Sequence, residues 1–249
     1  MDHKYWLGFL SEWLGVVAVV MIAGISPLLK KVRRIDFRYP RREATYALSV
    51  FAISYLIAFQ YFSNPFFDFL KNLSAYFGGS DLAQRMVLAV ICLVLFILAL
   101  VLRGQPLKSI GWGKANLRAG LITGLLMVVL VIFLRGKFST ILNGVSAQEG
   151  QMLLIWLVLA LAEETIFRGY IQLRLESYFG QKWGWLATAA LYLLWQMPGR
   201  LWIMPLAEMW PTLLITLVQA LLLGWVMRKS GHVLAPALYR AAAGWLLMI

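Results

Sequence analysis

Apolar runs dominate the chain and recur at a length that suits membrane-crossing helices. They fall near residues 8–29, 44–62, 86–102, 119–134, 151–166, 184–198, 211–227 and 233–249. A helix needs about 20 apolar residues to span the hydrocarbon core, so the pattern predicts about eight transmembrane helices. Several runs are shorter than that, and the fifth is expected to continue as helix to about Tyr178. Polar or turn-rich segments separate the runs: KKVRRIDFRYPRR at 30–42, SNPFFDFLKN at 63–72, RGQPLKSIGWGKANLR at 103–118, RGKFST at 135–140 and RKSGH at 228–232. The predicted fold class is all-α, a polytopic membrane helix bundle, because only internally bonded helices satisfy their backbone in lipid at this composition. Gly120 with Gly124, and Ala237 with Ala241, are small-residue pairs that allow close helix contact.

Composition narrows the classes further. Of 249 residues 61% are hydrophobic and only 14% are charged, which no soluble enzyme of this size could bury. Eight spans leave about 90 residues for loops, too few for a separate soluble domain. The single cysteine, Cys92, lies inside an apolar run and excludes a disulfide scaffold. The net charge is +12, which a nucleic-acid binder would also show. Its distribution points to topology instead. Loops after the first, third, fifth and seventh runs hold 16 Lys and Arg, and the N-terminus with the remaining loops holds 6. Cytoplasmic loops carry the positive excess. The N-terminus is therefore expected outside, as is the C-terminus of an eight-span chain, with 30–42 facing the anionic inner leaflet. The expected partner is the lipid bilayer and not nucleic acid. The first run is followed by a basic stop and further spans, which suits a retained helix.

Charges within apolar runs are costly and by default suggest function. Glu163 and Glu164 follow ten apolar residues, and Arg168 stands four after Glu164, on the same helical face. Two adjacent carboxylates in low dielectric raise each other's pKa unless a cation offsets them, which is one route to a general base. The alternative is that they end the span at the headgroups. Arg240 lies about two turns into the last run, with Gly244 one turn further on. It requires an acidic partner or a route to water by snorkelling. Gln196 is a third polar residue in an apolar run, suited to an interhelical hydrogen bond.

Other chemistries find little support. His3 and His232 are the only histidines, no H-E-x-x-H or Cys/His cluster occurs, and no metal site is expected. His232 reads as an interfacial or helix-start residue and not as a base. Asp2 adjoins His3 at the terminus, and Asp36, Asp68 and Asp81 are far along the chain from either histidine, so no Ser/His/Asp triad is expected. No phosphate-binding glycine loop or dinucleotide fingerprint is present, and no cofactor is implied.

The segment EETIFRG at 163–169 resembles the first motif, E-E-x-x-x-R, of the CPBP family of CAAX proteases and bacteriocin-processing enzymes, also called Abi. Glu163, Glu164 and Arg168 take its three positions. ALYLLWQMPGRL resembles the second motif region, with Tyr192 at its aromatic position and Gln196 at its histidine position. LLLGWVMRKSGHVLAPALYRAAAGW resembles the third, with Arg240 at the histidine position and Gly244 at the asparagine position. The resemblance covers 105–249, including PLKSIGW, whereas residues 1–100 match only as additional apolar helices. It implies two parts: N-terminal transmembrane helices at 1–104 and a CAAX-protease-like core at 105–249.

The family is similar to the CAAX prenyl endopeptidases, which remove three residues from prenylated proteins. In them a glutamate activates water, a histidine assists, and the third-motif His and Asn stabilise the oxyanion; some members have been read as metal-dependent. Here both histidines and the asparagine are replaced. A Gln cannot carry a proton, and an always-charged Arg beside the glutamates makes them poor bases. The expectation is a multi-pass membrane protein, in a bacterial plasma membrane, with weak or no endopeptidase activity. It would act as a scaffold or regulatory subunit for other membrane proteins or helices. The alternative is an active endopeptidase using Glu163 or Glu164 near the cytoplasmic leaflet. Arg240 is expected to pair with one glutamate across the fifth and eighth runs while Arg168 holds the other. Gln196 would add a neutral hydrogen bond, leaving no net buried charge and no open position for water or a metal.

Overall fold

The computed structural model describes residues 3–30, 35–201 and 205–249. Lys31, Arg33 and Arg34 of the basic loop, and Asp2, lie outside the described residues. The longer helices are α1 (His3–Ile25), α2 (Pro40–Ser63), α3 (Asp81–Leu102), α4 (Lys114–Leu134), α5 (Ala147–Glu164), α6 (Leu173–Phe179), α7 (Gln181–Trp195), α8 (Leu206–Ser230) and α9 (Leu234–Trp245). No strand occurs among the described residues. Between α5 and α6 the helix widens into a π-helical stretch, Thr165–Gln172.

Local chemistry sets the boundaries. Ser80 caps α3 by accepting from the Ala83 N–H at 3.2 Å, and Ser146 with Glu149 closes a capping box on α5. Pro40 starts α2, where its missing N–H costs nothing. Gly231, at a φ of 65° that favours glycine, ends α8.

Six segments have the length and apolarity to cross a membrane: Gly8–Ile25, Pro40–Ser63, Asp81–Leu102, Leu107–Leu134, Ala147–Phe179 and Glu208–Ser230. The fifth continues to Phe179, as the sequence suggests. The sixth and eighth apolar runs instead form the shorter helices α7 and α9, of 15 and 12 residues. Twelve residues rise about 18 Å, less than the hydrocarbon thickness. The run at 233–249 is apolar because α9 is interior: Ala235 to Ala237 and Tyr239 to Trp245 are all buried. Apolar side chains such as Leu56, Val94, Leu98, Val101 and Leu154 stand exposed on the long helices. With every helix bonded internally, that surface belongs in lipid, and the chain is an integral multi-pass membrane protein.

Helix α9 packs against α4, α5 and α8, while α7 packs against α6 and α8, and α3 against α5. The contact of α4 with α9 is made by the G-x-x-x-G pair. A Cβ on Gly120 would stand 2.5 Å from His232 Cβ, and one on Gly124 would stand 3.2 Å from the Leu234 carbonyl oxygen. The first two helices are each tied to the remainder by a buried glutamate. Glu12 on α1 accepts from Arg135 Nε at 2.8 Å and from the Tyr239 hydroxyl at 2.8 Å. Glu43 on α2 accepts from Arg103, from Arg174 Nε at 3.1 Å and from Gln105 Nε2 at 2.8 Å. Arg174 is fully buried over the Tyr170 ring, 3.7 Å from its centroid.

Candidate functional site

Glu163 and Glu164 end α5, so the headgroup alternative fails: both side chains are buried in the bundle. The π-helical stretch begins immediately after them, and such widenings are frequent at functional sites. From α9, Arg240 reaches across and contacts both carboxylates. Its Nη1 donates to Glu164 Oε1 at 3.1 Å, and its Nη2 donates to Glu163 Oε2. Arg168 Nε lies 3.3 Å from Glu164 Oε2. That contact is an ion pair without hydrogen-bond alignment, since Glu164 Oε2 and all three Arg168 nitrogens lack a hydrogen-bond partner. The Arg168 guanidinium is fully buried 5.0 Å from the Tyr192 ring centroid, and that of Arg240 lies 5.2 Å from the same ring. A cation near an aromatic face recovers part of its lost hydration.

Glu163 accepts three further hydrogen bonds. They come from the Tyr192 hydroxyl at 3.1 Å, Trp195 Nε1 at 3.0 Å and Gln196 Nε2 at 3.4 Å. With Arg240 this makes four donors, three on Oε2 and one on Oε1. Four of the sequence candidates, Glu163, Glu164, Gln196 and Arg240, thus meet at one centre with Arg168 behind them.

Gly244 does not join the cluster through a side chain. A Cβ built on it would stand 2.5 Å from Cε3 and 2.6 Å from Cδ2 of Trp156. The Trp156 indole therefore fills the place that an asparagine at 244 would need.

Two arginines were not singled out from the sequence. Arg85, in the second turn of α3, donates to Gln196 Oε1, and Arg200, in the short helix Met197–Leu201, donates from Nη2 to Thr216 Oγ1 at 3.1 Å. Their signal was masked, since each reads as an ordinary loop cation beside an apolar run. They also correct the expectation of complete charge cancellation: four guanidinium groups, not two, surround the two carboxylates. The cleft is walled in part by α1, through Phe9, Glu12 and Trp13.

The donor set does not fit a metal ion. Both carboxylates are held by Arg240, and among the described residues no three His, Cys, Asp or Glu side chains come together. His232 lies apart from the cleft. Its Nδ1 accepts from the Leu234 N–H at 3.1 Å at the start of α9, and its ring meets Trp112 edge to face. Burial holds its pKa below the usual histidine value. Cys92 is buried, with Sγ 4.0 Å from the Ser54 carbonyl oxygen.

The family model described as type II CAAX prenyl endopeptidase Rce1-like matches residues 145–246. That stretch runs from the capping residue of α5 through α9 and contains every cluster residue except Arg85. Searches of curated proteins and of solved structures return no match. The segment 145–246, which builds most of the buried glutamate–arginine centre, is thus similar to the type II CAAX prenyl endopeptidases.

Proposed function

We propose that this CAAX-protease-family membrane protein has little or no endopeptidase activity and serves as a membrane-embedded scaffold or regulatory subunit. The pairing of Glu163 with Arg240 carries the reading. A general base must take up a proton, and the Glu163 carboxylate is instead engaged as the ion-pair partner of an arginine that never gives up its charge. Glu164 is fully buried between Arg240 and Arg168. Gln196 supplies an amide where the family motif has an imidazole, and it moves no proton. Trp156 closes the position from which an asparagine would donate to an oxyanion. Glu163, Glu164, Arg168, Gln196, Arg240 and Gly244 then form a structural clamp at the family's catalytic positions. Residues 105–249 act as the family core and 1–104 as added helices anchored by Glu12 and Glu43. The loops after the first and third runs hold 11 Lys and Arg, and the N-terminus with the loops after the second and fourth holds 5, which supports an external N-terminus; the resemblance supports a bacterial plasma membrane.

The test is hydrolysis of a prenylated CAAX-type peptide by the purified, detergent-solubilised chain. Product formation equal to that of Glu163→Ala is expected. Cleavage by the wild type that Glu163→Ala abolishes would establish the working endopeptidase instead.

A further inference from the structure

We infer that Arg85 and Arg200 form a binding site for a phosphate group beside the glutamate–arginine clamp. Both line two cavities, of about 180 and 160 Å³, that meet at Gln196. Either volume exceeds several waters' share of liquid. Among the described residues the other arginines around the cleft, buried or half-buried, each have a carboxylate: Arg135 has Glu12, Arg168 has Glu164, and Arg240 has both cluster glutamates. Arg85 and Arg200 form no ion pair there, and they lie close enough for their charges to repel.

Their hydrogen bonds leave capacity unspent. A guanidinium carries five N–H donors. Arg85 uses one on Gln196, and Arg200 uses one on Thr216. The Arg200 Nη1 is buried with no hydrogen-bond partner, which costs free energy until an acceptor arrives. Nearby carboxylates do not meet the need. Glu163 lines the smaller cavity with its charge already paired with Arg240. Asp81 is exposed on the rim, in the first turn of α3, where the helix N-terminus offsets its charge.

Charge identifies the ligand class. Two uncompensated guanidinium groups match the charge of a phosphate monoester, which is about −1.5 to −2 at neutral pH. A carboxylate would leave one cation over. Guanidinium forks also suit phosphate oxygens. The group can come from free phosphate or from the headgroup of a lipid such as phosphatidic acid.

The purified full chain is heated in detergent with inorganic phosphate, or with acetate or chloride at matched ionic strength. It is also heated in lipid nanodiscs of phosphatidylcholine with and without phosphatidic acid. A saturable rise in the apparent unfolding midpoint of about 2–4 °C is expected. It should vanish in Arg85→Gln/Arg200→Gln, weaken in Arg200→Lys, and survive in the surface variant Arg42→Gln. A rise with inorganic phosphate identifies free phosphate as sufficient; a rise only with phosphatidic acid identifies the lipid. No saturable rise with either, an equal rise with acetate, or a rise unchanged in Arg200→Lys and in the double variant overturns the site. None of these readouts depends on peptide hydrolysis.

Discussion

Trp156 and Gly244 are a matched pair across α5 and α9. The indole carbons lie 2.5 to 2.7 Å from where a Cβ at 244 would begin, so the tryptophan is accommodated only because position 244 has no side chain. Rings cannot yield as the end of a flexible chain can. Overpacking of this kind typically costs about 1–3 kcal/mol. Gly244→Asn should therefore lower the unfolding midpoint in detergent. Adding Trp156→Ala should make the double variant more stable than the sum of the two single losses predicts. Simple additivity would show that the contact does not matter.

Arg240 should be the most sensitive position in the clamp. Arg240→Leu removes the guanidinium bonded to both buried carboxylates and leaves Glu164 only its unaligned contact with Arg168, a class of change that costs about 3–5 kcal/mol. Arg240→Leu/Glu163→Leu leaves the neutral pair Glu164 and Arg168, and should recover part of that loss. Thermal unfolding of the two singles and the double gives the coupling directly. Losses that add would mean that the contact of Arg240 with Glu163 contributes no net coupling.

Topology is accessible through Arg38, which is exposed at the start of the segment leading into α2. An engineered Arg38→Cys should react with an impermeant thiol reagent only from the cytoplasmic side. The native thiol, Cys92, is buried and gives a low background. Labelling of intact cells from outside would invert the assignment.

Particular residues show what the sequence could and could not reveal. The E-E-x-x-x-R motif exposed Glu163, Glu164 and Arg168 because carboxylates in an apolar run have no ordinary explanation. Gly120 and Gly124 exposed the α4–α9 contact through their spacing. The sequence read 233–249 as a span because apolarity alone cannot distinguish lipid from a protein interior around α9. Glu12 and Glu43 look like isolated surface charges until Arg135, Tyr239, Arg103 and Arg174, distant along the chain, close around them. Arg85 and Arg200 escaped notice for the opposite reason. Cations at the ends of membrane runs are common, and only the fold shows that these two line the same cavities with no ion pair among the described residues.

His232 should make stability depend on pH. The neutral ring accepts the Leu234 N–H at Nδ1 and packs against Trp112 in a buried setting. Burial lowers its folded-state pKa below the ordinary value of 6.5. The unfolded chain therefore takes up a proton near pH 6.5 that the folded chain resists. The stability contributed by the neutral ring is fully present above that pH. It declines as pH falls from about 6.5 toward the lowered folded pKa, with a slope of at most about 1.4 kcal/mol per pH unit for one proton. Unfolding midpoints measured from pH 7.5 to 5 should fall more steeply for the wild type than for His232→Gln, which cannot titrate. The variant should start lower at pH 7.5, because it loses the ring's contact with Trp112. Parallel profiles for the two proteins would show that His232 keeps its ordinary proton affinity in the folded chain, and that its ring does not govern the start of α9.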